Sequence, residues 1–392
     1  MLNTTTKTYH KILFLGLILG LTLFVGACTS TPEPEATSTP PPATPEEAVS
    51  SELDTGSDTL RLILWQAPTT LNLHFSVAFK DFEASRLTYE PLASFDQDGN
   101  LILFLAAEIP TLENGGLSPD GKAVTWKLKE GVKWSDGKPF TADDVKFTYA
   151  FITNPDVESP SAATYADVES VEVIDDLTVK VNFKDVTPAW ARPFVGIRGV
   201  ILPRHVFADY NGPNASQAPA NLEPVGTGAY RVVEFSTEEI LIIGSDVVET
   251  VKIVYEANPF FREQGKPFFK RVELRGGGDA EVAARAVLEE GVVDYASNVQ
   301  VDATVLSQLE ALGQGRIINN PGPYVERIFL NHTDPNRATA EAEFSSLQFK
   351  HPFLSDVRVR QAFAYAIDRE AIAELYGVTG RLTNSIMVAR PD

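Results

Sequence analysis

The chain has 392 residues, 44% of them hydrophobic and 22% charged, an ordinary globular composition and a length that suggests two or more domains. Lys and Arg number 33 against 53 Asp and Glu, and the formal charge of −20 argues against a nucleic-acid partner and against a polybasic membrane face. One cysteine permits no intramolecular disulfide, and the scattered histidines show no metal-ligand spacing.

Lys7 and Lys11 precede an apolar run from Ile12 to Ala27 that only Thr22 interrupts. The run is shorter than the roughly 20 residues of a bilayer-spanning helix and fits the h-region of a secretory signal. Its end, Val25-Gly26-Ala27-Cys28, resembles a bacterial lipobox. That resemblance implies a signal peptide over 1–27 and acylation of Cys28, which would hold the protein on a membrane. Residues 29–58 contain 6 Pro, 11 Ser or Thr, 7 Asp or Glu, and no Lys or Arg. Such a stretch buries too little apolar surface to order itself and reads as an extended tether. The globular part is then 59–392, outside the cytoplasmic membrane.

Leu60–Gln66 reads as a buried strand, and Ala123–Lys129 alternates with Val124, Trp126 and Leu128 on one face. Thr141 opens a helix with Asp144 placed for a capping box. Val168–Phe183 has the pattern of a hairpin turning at Asp175-Asp176. Ala229–Phe235 and Thr250–Glu256 read as strands, Asp279–Glu290 and Asp302–Leu312 as helices closed by Gly291 and Gly313. Tyr324–Asn331 reads as a strand and Asp356–Tyr376 as one long helix whose Phe363, Ala366, Ile367 and Leu375 form a buried stripe. The class is α/β or α+β, without internal repeats.

Catalytic patterns are weak. Gly226-Thr227-Gly228 lacks the third glycine of a dinucleotide fingerprint and reads as a turn. Gly276-Gly277-Gly278-Asp279 follows a strand and opens a helix, but no Lys-Ser or Lys-Thr follows, so it reads as a turn with an N-cap. Adjacent carboxylates such as Asp143-Asp144 diverge from one another and make poor acid–base pairs. Trp126 and Trp134 read as core. No enzyme activity, cofactor or metal is expected.

Several stretches together resemble the family 5 extracellular solute-binding proteins, the receptors of peptide, nickel and opine importers. The most specific block runs Ser118-Pro119-Asp120-Gly121-Lys122, Thr125-Trp126-Lys127-Leu128-Lys129, Gly131-Val132-Lys133-Trp134, Asp136-Gly137 and Thr141-Ala142-Asp143-Asp144-Val145. Tyr89-Glu90-Pro91-Leu92 precedes it. Val225–Tyr230, Asn258-Pro259-Phe260-Phe261, Gly291–Asp294 and Phe353–Arg369 follow in the family's order, with Ala229 where proline is usual.

The resemblance implies an α/β, bilobal, periplasmic-binding-protein-like fold of type II. Its first lobe would comprise 59–75 plus 201–322 and carry an inserted subdomain at 76–200. The second lobe would begin at 323. Family members usually continue well beyond the Phe353–Arg369 segment, so the resemblance implies a second lobe left incomplete at Asp392. The ligand would lie between the lobes. Trp65, Gln66, Ala67 and Pro68 stand where members lay extended backbone beside the ligand, with Phe79, Phe82 and Tyr89 as an aromatic wall. Tyr324, Arg327 and Asn331 would face it from the hinge-proximal strand. An aromatic wall with backbone groups suits varied peptides, because backbone hydrogen bonds read what peptides share. With two Met and no His cluster, directly bound nickel is not expected. The implied role is a monomeric, lipid-anchored receptor that captures oligopeptides or related solutes and delivers them to importer permease subunits, on the periplasmic side or the cell surface. A chaperone or ligand sensor on the same fold, and a secreted hydrolase, are the alternatives.

Overall fold

The structure is a computed structural model that describes residues 58–96, 98–319, 325–376 and 380–383. The signal segment 1–27, Cys28, the tether up to residue 57 and Tyr324 lie outside the described residues.

In chain order, β1 (Thr59–Leu64) leads through a coiled stretch to α1 (Phe79–Ser85), then to the short strands β2 (Ala93–Phe95) and β3 (Leu101–Leu103). β4 (Ala123–Lys127), α2 (Ala142–Thr153), β5 (Val168–Asp175), β6 (Thr178–Phe183) and α3 (Arg204–Phe207) follow. β7 (Tyr230–Ile243), β8 (Asp246–Ala257), β9 (Arg271–Gly276), α4 (Ala280–Leu288), β10 (Tyr295–Ser297) and α5 (Ala303–Glu310) come next, and α6 (Val357–Ala366) and α7 (Arg369–Leu375) end the list.

The larger sheet has five strands in the order β10-β1-β9-β8-β7. β1 is parallel to both β9 and β10, while β8 runs antiparallel to β9 and β7. At its carboxyl end β1 buries apolar residues on both faces, Ile63 on one and Leu64 on the other. Its Leu64 joins Leu71, Ala84, Ile253, Tyr255 and Leu274 in one core. Ile63 points the other way, into a core with Ala283 and Ala286 of α4 and Val293. The smaller sheet, β4-β6-β5, is antiparallel. α2 packs against it through Val145 and Ile152, around the fully buried Trp126 and Trp134.

Local signals explain these elements. The Thr141 N–H donates to Asp144 Oδ2 at 3.0 Å, completing the capping box that starts α2. Asp279 and Asp302 cap α4 and α5 by accepting the N–H groups of Val282 and Thr304. Gly291 and Gly313 take the positive φ angles of +61° and +80° that end the following turns.

One expectation is extended and three need correction. The two strands expected at 229–235 and 250–256 are parts of one long hairpin, continuing past a register shift between Ser236 and Glu239 to a turn at Gly244. The polar run Ser236–Glu239 masks that continuity in the sequence. Residues 325–331 form no strand, because none of the described strands lies alongside to pair with them. The helix expected over 356–376 is two helices. Ile367 is extended (ψ 112°), and Asp368 starts α7 by accepting the Ala371 N–H. A short polar side chain competes for backbone donors and favours a cap over a helix interior. Finally, the stripe on these helices is not buried: Phe363 is 44% and Leu375 73% exposed, since no described layer covers that face. The flanking charges lie at the surface, with Arg358 paired to Asp356 at 2.6 Å and Arg360 donating to the Leu354 carbonyl.

Candidate functional site

β9, β1 and β10 all run in one direction, so their carboxyl ends lie together. From β9 the chain enters α4 and returns as β10 on the far side of β1. From β1 it leaves toward the opposite face, where Ala67 and Leu71 join the core around Ala84. Open α/β sheets bind ligands in the crevice outside such strand ends, where chain connections diverge. A shallow depression lies there, lined by Trp65, Gln66, Phe79, Lys80, Ser297 and Asn298 above Leu64.

The glycine run after β9 shapes this edge. A side chain on Gly276 would overlap Pro68 and come within 2.9 Å of the Gln66 carbonyl oxygen. Glycine therefore lets segment 66–68 lie directly against the end of β9. Asn298, at φ +54°, turns the chain off β10 in a conformation that Asn adopts more readily than most residues.

Trp65 leans on the α4 side of the sheet and Ala67 on the α1 side, leaving Gln66 exposed between them. Phe79 is 38% exposed. Lys80 is fixed: its Nζ donates to Thr69 Oγ1 at 2.9 Å and to Asp81 Oδ1 at 2.8 Å. Asp81 is buried and accepts the Thr69 N–H and the Ser76 hydroxyl as well.

The other expected residues are placed elsewhere. Phe82 lies under the Arg198 guanidinium, 5.0 Å from the ring centre, and Arg198 in turn donates to the Ser76 carbonyl. Partial burial lowers the Arg198 pKa. Tyr89 is a core residue, packed with Leu73, Phe151, Leu202 and Phe207. Burial pushes its phenol well above the ordinary range, and its hydroxyl has no partner among the described residues. The turn after α1 drives it inward, because the neighbouring Thr88 carbonyl is held by the Gly228 N–H at 2.8 Å. Side chains on Gly226 or Gly228 would overlap or crowd that carbonyl, so the glycines of this segment serve close backbone packing. Arg327 and Asn331 are exposed and make local contacts: Arg327 stacks on Phe329, and Asn331 accepts from Thr333. They do not line the depression, since the strand expected to carry them does not form.

Sequence reading did not single out Lys80, Ser297 and Asn298, which also line the depression. The adjacency of Lys80 to Phe79 was the available signal. For Ser297 and Asn298 none existed, because β10 meets β1 across a separation as long as the 233 residues between Arg61 and Asp294.

One buried carboxylate outside this edge, that of Asp144, is used structurally. Asp144 accepts from the backbone of Thr141 and Arg204 and from the Trp134 indole; burial raises its pKa, and those donors oppose the rise. A more open concavity of about 380 Å³ lies on the polar face of the smaller sheet. Its Asn182 is already bonded to Ser170 and Glu172, and its lining lacks the apolar walls usual for small-molecule sites. Among the described residues no three His, Cys, Asp or Glu side chains group as metal ligands, and no helix is long and apolar enough to cross a membrane.

A mixed five-stranded sheet and an antiparallel sheet, both packed with helices, are consistent with an α/β protein of the periplasmic-binding-protein-like kind. The family model for bacterial extracellular solute-binding proteins, family 5 middle region, matches residues 107–390, and the chain belongs to that family. The oligopeptide-binding protein AppA of Bacillus subtilis is 25% identical over 362 residues, covering 92% of this chain and 58% of its own. The structure of that AppA with a nonapeptide superposes with a TM-score of 0.61 at 24% identity, covering 81% of this chain and 56% of its own, and shows the shared fold. The glutathione-binding protein GsiB of Pectobacterium atrosepticum is 26% identical over 288 residues, 73% of this chain and 47% of its own. The substrate-binding protein CtaP of Listeria monocytogenes gives a TM-score of 0.60 at 26% identity, over 81% of this chain and 56% of its own. The chain spans about half the length of the curated relatives it matches.

Proposed function

We propose that the protein is a substrate-binding receptor of an ATP-driven importer that captures oligopeptides or related small solutes and passes them, without chemical turnover, to membrane permease subunits. The observation that carries this reading is the meeting of Trp65, Gln66 and Phe79 at the carboxyl ends of three parallel strands, in a chain of the solute-binding family. Backbone groups at 65–67 would pair with a peptide's own backbone, and the two aromatic side chains would cover its apolar parts. In this reading 59–75 plus 201–322 form the first lobe, 76–200 an inserted subdomain, and residues from 323 onward the start of a second lobe whose closure over the ligand is a hinge motion. In its support, the smaller sheet falls within 123–183 and the larger draws its strands from 59–64 and 230–297, while α1, at the start of the insert, packs on the larger sheet through Ala84. A lipid on Cys28 and the acidic tether would hold the receptor outside the cytoplasmic membrane, as a monomer.

The test is thermal unfolding of the full chain with mixed di- to pentapeptides, oligosaccharides and metal chelates. A rise in the unfolding temperature with peptides supports the reading, because a ligand that binds only the native state stabilises it. No shift with any of the three classes contradicts solute capture.

A further inference from the structure

The cation on the lining of the depression is Lys80, and it is held in place before any ligand arrives. Its side chain is 16% exposed, while that of its partner Asp81 is 3% exposed. An ammonium has three N–H donors. Two of them go to Thr69 Oγ1 and Asp81 Oδ1, and the third has no acceptor among the described residues.

We propose that Lys80 is a specificity-determining residue that donates its remaining N–H to a neutral carbonyl oxygen of the bound solute, while Asp81 cancels the charge that would otherwise attract a carboxylate. The inference rests on the reading of this depression as part of the solute site. Its sign follows from the pair's charge. Lys80 with Asp81 is neutral overall, so a ligand carboxylate would bring a second anion close to Asp81 in partly desolvated surroundings. A carbonyl gains a charge-assisted hydrogen bond without that repulsion. The chain's charge of −20 acts in the same direction. Trp65 and Phe79 line the same depression with apolar surface, and Gln66, Ser297 and Asn298 add uncharged polar groups to it. The subsite is therefore built for an uncharged amide segment, and an acidic side chain there is disfavoured.

Calorimetric titration of the full chain with trialanine, trialanine amide and Ala-Asp-Ala tests this on the wild type, Lys80→Met, Lys80→Gln and Asp81→Asn. Lys80→Met should weaken trialanine and its amide alike, by about tenfold. Lys80→Gln keeps an N–H donor and should recover part of the loss. Asp81→Asn leaves the ammonium unneutralised and should move preference toward Ala-Asp-Ala. A loss confined to trialanine with its free carboxylate would overturn the neutral-carbonyl assignment. Unchanged affinity in Lys80→Met, with the wild type binding normally, would overturn the inference and leave the site reading intact. Should Lys80→Met not fold, an unchanged trialanine to Ala-Asp-Ala ratio in Asp81→Asn overturns it. Failure of the wild type to bind these peptides or a mixed peptide library would overturn the peptide-receptor reading and this inference with it.

Discussion

Arg262 grips Glu90 in a two-pronged ion pair, Nη1 to Oε2 at 2.6 Å and Nη2 to Oε1 at 2.8 Å, with both side chains largely withdrawn from solvent. The pair ties the loop after β8 to the segment that leads from α1 into β2. The planar guanidinium also lies over Phe261, 5.1 Å from its ring centre. The Asn258-Pro259-Phe260-Phe261 segment is thus held on the polar side by Arg262 and by the Asn258 side-chain amide, which donates to the Gly228 carbonyl at 2.8 Å.

Breaking that pair from one side leaves a buried charge uncompensated, which costs about 3–5 kcal/mol. Arg262→Met should therefore lower stability in urea by about 3 kcal/mol, and adding Glu90→Gln should restore much of it. Equal loss in the single and double variants would show that the charge pair is not what holds the loop.

The glycines of 226–228 give a sharper contrast. Gly226→Ala places a carbon onto the Thr88 carbonyl, so the backbone must separate. We expect a loss of about 4 kcal/mol or more. Gly131→Ala meets open space and suffers only from its φ of +71°, at about 1 kcal/mol. Chemical denaturation of the two variants side by side checks the difference.

His74 should make stability depend on pH. It is fully buried, its Nε2–H donating to the Val200 carbonyl and its Nδ1 accepting from Ser161, and burial lowers its pKa to about 4 from 6.5. The unfolded chain takes up the proton first, so between these values stability falls as pH falls. Its contribution is complete above about pH 6.5 and is lost as pH drops toward 4, for about 3 kcal/mol in total. His74→Gln should flatten that window relative to the wild type in urea titrations at pH 7 and pH 4.5. An unchanged slope would place the pH sensitivity elsewhere.

Tyr89 and Phe79 separate core from site. The Tyr89 hydroxyl is buried without a protein partner among the described residues, so Tyr89→Phe should leave peptide affinity unchanged and hold or raise stability by up to about 1 kcal/mol. Phe79→Ala should do the reverse, leaving the unfolding temperature nearly unaltered and weakening peptide binding severalfold. Calorimetry and thermal melts on both variants decide the matter.

What could be read from the sequence was local. The apolar run of β1, the alternation of β4, the capping box at Thr141 and the hairpin of β5 and β6 each rest on neighbours a few residues apart. Trp65 and Gln66, which the family resemblance singled out, line the depression at the end of β1. Pairing of β1 with β9 and β10 joins segments more than 200 residues distant, and no short-range pattern encodes it. Ser297 and Asn298 could reach the depression only through that pairing, whereas Lys80 comes with its neighbour Phe79 on α1. Asp368 shows a different failure, since a polar side chain inside an apparently continuous helical pattern was a cap. The periodicity around Phe363 and Leu375 marked a face that the described residues leave exposed.

The most direct test of the account is to map where a peptide sits. A tetrapeptide carrying a photoreactive benzophenone side chain, irradiated with the full chain and traced by peptide mass spectrometry, should label residues around 64–80 and 295–299. Competition with unlabelled trialanine should abolish those adducts. Adducts confined to the polar face of the smaller sheet, around 118–122 and 169–182, would contradict a site at the parallel strand ends.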